Sequence, residues 1–111
     1  MSSDVAVPIS RLADIIEATR NSIQKADLLG STLGHVGDGN FHTRMSYGEK
    51  DKAAAEKIIS DLRKRAIEWE GIIKGEYGTG LALRDVLKAE LGENAVDTMR
   101  KVRCTALLRV I

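Results

Sequence analysis

The chain has 111 residues, 43% of them apolar, and a formal net charge of +1. That length supports one small domain, residues 1–111, with a modest core. Mixed charge and few aromatics exclude a nucleic-acid surface built on a basic patch or stacking platform, and no apolar run is long enough to span a membrane.

Cys104 is the single cysteine, so no internal disulfide forms and a reducing compartment is the default. It reads as a buried, inert thiol. The opening Met1-Ser2-Ser3-Asp4 has neither the hydrophobic segment of a signal peptide nor an Arg-rich amphipathic lead, so no targeting segment is expected and a cytosolic location fits.

Asp4-Val5-Ala6-Val7 reads as a short strand stopped by Pro8, the only proline. Ser10 is a candidate N-cap, because its hydroxyl can accept from a free backbone N–H. Leu12, Ile15, Ile16, Thr19, Ile23 and Ala26 then recur at helical spacing. The helix is expected to end near Leu28-Leu29, with Gly30 as its stop. A hairpin follows, roughly Ser31–Val36 and Asn40–Tyr47, around Asp38-Gly39. After the polar turn Gly48-Glu49-Lys50-Asp51, a second amphipathic helix carries Ala55, Ile58, Ile59, Leu62, Ala66 and Trp69 and ends at Gly71. Ile72-Ile73-Lys74-Gly75 suits a final strand. Beyond the bend Glu76-Tyr77-Gly78-Thr79-Gly80, two more helices are marked by Leu81, Leu83, Val86, Leu87 and Leu91, and by Val96, Met99, Arg103, Ala106 and Val110.

The order β-α-β-β-α-β predicts an α+β fold, a ferredoxin-like sandwich with extra C-terminal helices. Its two helices would cover one face of an antiparallel sheet and leave the other open to a partner.

A two-residue turn at Asp38-Gly39 would pair Gly37 with Asn40, Val36 with Phe41 and His35 with His42. Val36, Phe41, Thr43 and Met45 would then form a core-facing strip. The two imidazoles would project from the open face roughly 5 Å apart at Cβ, close enough to share one metal ion. Glu76, just past the last strand, is a plausible third ligand, since two His and one carboxylate with an open position form a known catalytic zinc arrangement. Asp38 suits the turn better than a metal. Arg44 shares the histidines' face and could hold an anionic substrate. The same residues also fit a plain polar cross-strand pair, a surface glutamate and a solvated arginine.

Gly34-His35-Val36-Gly37-Asp38-Gly39-Asn40-Phe41-His42, followed by Gly75-Glu76-Tyr77-Gly78-Thr79-Gly80, resembles the C-terminal domain of FAD-linked oxidases. The likeness runs from about Asp4 to about Val102 and is strongest to cytochrome-linked D-lactate dehydrogenases. The resemblance implies that His35, His42 and Glu76 bind a divalent metal, zinc first and manganese or iron as alternatives. It implies FAD as cofactor, with Asn40 on the flavin side, and Arg44 toward a small 2-hydroxy acid. Hydride would pass from the acid's α-carbon to FAD, and electrons onward to cytochrome c or another acceptor. Mitochondrial location is implied in the same way.

Tyr77 takes the place where the family usually has a catalytic histidine; a phenol, with an ordinary pKa of about 10, is a poor base at neutral pH but can hydrogen-bond substrate. The family's Leu-Asp-Pro and Asn-Pro segments do not follow the last helix, and its FAD-binding domain does not precede the first strand. The chain is therefore expected to act as part of the oxidoreductase, docked to a flavin domain, and not to oxidise D-lactate to pyruvate unaided. A non-catalytic metal- or partner-binding module, or a degenerate fragment without activity, is the alternative.

Overall fold

The computed structural model describes residues 1–75 and 79–110, the last four by backbone alone. They divide into two compact units, Met1–Gly78 and Thr79–Ile111.

The first unit opens with β1 (Ser2–Ala6), α1 (Ile9–Lys25), β2 (Leu29–His35) and β3 (Asn40–Ser46), and closes with α2 (Lys52–Glu68). The sheet is antiparallel with spatial order β1-β3-β2. Ile72 forms an antiparallel bridge to Ala6 on the free edge of β1. That is where the fourth strand of a βαββαβ sandwich belongs, so the ferredoxin-like α+β order holds. The expected strand over Ile72–Gly75 is reduced to this bridge, held by Ile72 N–H to the Ala6 carbonyl (2.7 Å) and the reciprocal bond (3.1 Å).

Alternation along the strands sets the core. Val5, Phe41 and Met45 face the helices, where Val5 and Phe41 pack with Val7, Leu12, Ile15, Leu62 and Ala66. A second cluster joins Met45 to Ile23, Ala55, Ile58 and Ile59. These are the residues whose helical spacing marks α1 and α2 in the sequence. Between the clusters Thr43 is fully buried opposite Ser3, and neither hydroxyl has a hydrogen-bond partner among the described residues.

The helix ends differ from expectation in an instructive way. α1 begins after Pro8, with no side-chain cap from Ser10. Proline's fixed φ sets the entry there. Gly30 is not its stop; it lies within β2. Instead Asp27 takes a left-handed conformation (φ 55°). Its N–H bonds to Gln24 O, and Leu28 N–H bonds to Ile23 O. This is a Schellman closure with aspartate where glycine is usual. α2 ends in the same way: Glu70 is left-handed (φ 61°), and Gly71 N–H reaches Ala66 O at 2.7 Å.

The hairpin turn also differs. Val36–Asp38 forms a short 3₁₀ turn, closed by Gly39 N–H to Val36 O, and Gly39 is left-handed (φ 68°). Four residues thus connect β2 and β3, where two were expected, which shifts the register. His35 pairs with Asn40, Gly34 with Phe41 and Leu33 with His42. Val36 leaves the core strip and is 64% exposed. The cause is tertiary. The Gly39 carbonyl accepts from Val7 N–H at 3.0 Å, and a Cβ on Gly39 would collide with the Val7 carbonyl oxygen.

In the second unit, α3 (Arg84–Leu91) and α4 (Glu93–Val110) pack on each other across Gly92. Cys104 is exposed on α4, contrary to the buried thiol expected, because it falls on that helix's solvent side.

Replacing Asp27 or Glu70 with glycine removes a left-handed L-residue and should raise stability by about 1 kcal/mol each in chemical denaturation. Gly39→Ala should lower it by more than about 1 kcal/mol. Thr43→Val keeps the shape, removes a buried unpartnered hydroxyl, and should stabilise by about 1 kcal/mol.

Candidate functional site on the open sheet face

The face of the sheet turned away from α1 and α2 is organised in cross-strand rows. One row is Ala6, Asn40 and His35; the next is Asp4, His42 and Leu33; the third is Ser2, Arg44 and Ser31. The histidines therefore share this face, as expected, but sit diagonally in adjacent rows instead of directly opposite. Their ring centroids are 6.2 Å apart and the planes meet edge-to-face at 82°.

Behind His42 lies Asp4, only 1% exposed, with its Oδ1 3.7 Å from His42 Nδ1. Asn40, 4% exposed, anchors that carboxylate. Its Nδ2 donates to Asp4 Oδ1 at 2.7 Å and to the Val5 carbonyl at 3.2 Å. The Asn40 Oδ1 is buried and has no hydrogen-bond partner among the described residues. A carboxylate beside an imidazole favours one orientation of the ring, a common arrangement behind a metal-bound histidine. Asp4 was not singled out from the sequence; its only signal was its position in an apolar strand, and reading that required the β1–β3 register.

Gly75 closes over this cluster. A Cβ at Gly75 would run into the Asn40 amide and lie 3.0 Å from Asp4 Oδ1. The backbone can approach so closely only because the residue is glycine. Gly75 immediately precedes Glu76 in the sequence. Glu76 and Tyr77 themselves lie outside the described residues. Among the described residues no group of three or more His, Cys, Asp or Glu side chains is placed to hold a metal ion. His35 and His42 are two borderline nitrogen donors, with bond lengths to zinc of about 2.1 Å, and rings at this separation can reach one ion. Their chemistry fits a divalent transition metal but needs a further donor.

Arg44 is on the histidine face, as expected. With Ser2, Ser3, Ser31, Leu33 and His42 it lines a cavity of about 190 Å³. The described helices contain no segment long and apolar enough to cross a membrane.

Residues 1–105 match the family model for FAD linked oxidases, C-terminal domain. The chain is 46% identical over 92% of its length to a mitochondrial D-lactate dehydrogenase (cytochrome) of Kluyveromyces lactis, covering 18% of that protein. It is 38% identical to D-lactate dehydrogenase (cytochrome) 1, mitochondrial, of Saccharomyces cerevisiae, again over 92% of this chain and 18% of the relative. Similarity to glycolate oxidase subunit GlcD of Bacillus subtilis is 30% over 90% of this chain and 22% of the relative. The chain thus spans about a fifth of the length of these relatives. A family match over 105 residues, on a sheet whose open face carries both histidines of the glycine-rich hairpin, places this chain among the FAD linked oxidases, as a C-terminal domain.

Proposed function

We propose that this chain forms the substrate-facing wall of an FAD-dependent D-2-hydroxy-acid oxidoreductase, most like D-lactate dehydrogenase (cytochrome), which oxidises D-lactate to pyruvate. The observation that carries the reading is the His35–His42 pair on the open face, with buried Asp4 behind His42. The family and the named relatives support the reaction class.

In this reading His35 and His42 hold a divalent ion, most simply zinc, and Glu76 completes the set. Such an ion, when bound, supplies a Lewis acid for a hydroxyl and carboxylate of the substrate. FAD, when bound, accepts the hydride from the α-carbon, and its electrons leave for cytochrome c or another acceptor.

The chain's own residues do the positioning. Asp4, 3.7 Å from His42 Nδ1, helps to orient His42 for ligation. Asn40 lies on the flavin side, and its amide holds the Asp4 carboxylate in place. Arg44 draws in the anionic acid. Tyr77, in the reading's base position, serves as a hydrogen-bond donor to substrate, because a phenol stays protonated at neutral pH. The open face docks to the flavin domain, and we place the parent enzyme in mitochondria with its relatives.

Metal analysis of the purified chain tests this. The wild type should hold close to one zinc or manganese ion per chain after loading. His35→Ala, His42→Ala and Glu76→Ala should each lose it, and Asp4→Asn should weaken affinity about 10- to 100-fold. Affinity should fall as the pH is lowered, since ligating imidazoles must be neutral. A wild-type chain that stays metal-free under loading, or variants that retain the ion, would overturn the reading.

A further inference from the structure

Among the described residues the sheet has one uncovered edge. The outer edge of β1 carries the Ile72 bridge, whereas β2 pairs only with β3. A strand edge offers a row of backbone N–H and C=O groups to a second strand, and proteins usually guard it with lysine, proline, a bulge or short length. β2 has none of these guards. Its seven residues, Leu29-Gly30-Ser31-Thr32-Leu33-Gly34-His35, include no proline, lysine, arginine, aspartate or glutamate. They pair one-to-one with β3 from end to end, so no bulge turns the edge away.

The side chains of β2 match a second copy of themselves. Leu29 and Leu33 are 81% and 70% exposed. Four residues apart on a strand, they share a face, with Ser31 midway between them. An antiparallel copy of β2 related by a twofold axis at Ser31 sets Leu29 of each copy opposite Leu33 of the other. Directly opposed side chains lie about 5 Å apart at Cβ, so four exposed leucines become two apolar pairs flanking the axis. On the other face the same register sets Gly30 against Thr32, small residues that do not crowd. There Ile16, Ile23, Leu28 and Thr32 help to line a groove of about 490 Å³ beside this edge. With no Lys, Arg, Asp or Glu in the strand, the two copies of β2 bring no like charges into opposition.

We propose that the β2 edge is a self-association surface, where two copies of this chain join their sheets antiparallel about Ser31 into one six-stranded sheet. The axis stands perpendicular to the sheet, so both histidine faces lie on the same side and stay open. The proposal is independent of any bound metal or substrate.

The test is sedimentation velocity of the whole chain from about 5 to 500 µM. The wild type should pass from monomer to dimer with a Kd of roughly 10–100 µM, as suits a small interface. Leu29→Lys and Leu33→Lys should each weaken association at least about tenfold, since each places a charge against an apolar partner twice per dimer. Leu81→Lys, at an exposed leucine of the second unit, should leave it unchanged. In a Cys104→Ser background, Ser31→Cys should form a disulfide-linked dimer under mild oxidation, at least about tenfold faster than the exposed control Ser46→Cys. The substituted side chains are exposed, and circular dichroism shows that each variant keeps the wild-type fold. A chain that stays monomeric to 500 µM, association that survives both β2 lysines, loss of the dimer in Leu81→Lys, or equal cross-linking at Ser31 and Ser46 overturns the proposal.

Discussion

The hydrogen bond from Asn40 Nδ2 to Asp4 Oδ1 is the constraint on which the site depends. At 2.7 Å between two almost fully buried side chains, it joins β3 to β1 below the histidine rows. A buried carboxylate without such a donor would be costly. With it, Asp4 can remain beside His42 and support that ring. The second bond of the same amide, to the Val5 carbonyl, fixes Asn40 to the strand whose other face enters the core. Packing on one side of the sheet and polarity on the other are therefore coupled through one side chain.

The hairpin turn has a similar double role. Gly39 accepts a bond from Val7 and cannot carry a side chain there, so the turn is read out by β1 as much as by its own residues. The longer connection shifts β2 by two residues against the simpler hairpin. It moves His35 opposite Asn40, yet both imidazoles remain on the same face, because two added loop residues preserve the alternation of the strands.

The parts of the fold written in local periodicity were legible. The 3.6-residue spacing of Leu12, Ile15, Thr19 and Ile23, and of Ala55, Ile58, Ile59, Leu62 and Ala66, marks residues that are buried. The β-α-β-β-α order followed from them, and the face carrying His35, His42 and Arg44 followed from strand alternation. What was not legible depends on contacts distant in sequence. The turn length rests on Val7, the role of Asp4 on the β1–β3 register, and the end of α1 on a left-handed Asp27 that no glycine advertised. The glycine-rich hairpin and the later Gly75-Glu76 pair carried the family signal, although Glu76 and Tyr77 lie outside the described residues.

The single bridge at Ile72 has a consequence for how the second motif reaches the first. If the ladder begun by Ala6 and Ile72 continued in register, Gly75 would fall beside Ser3, on the side of the sheet that faces the helices. The ladder stops after one pair, and Gly75 lies instead against Asn40 and Asp4. An abandoned strand is here a route: by giving up edge pairing, the chain crosses from the margin of the sheet onto its chemical face, and two segments far apart in sequence meet over one buried carboxylate.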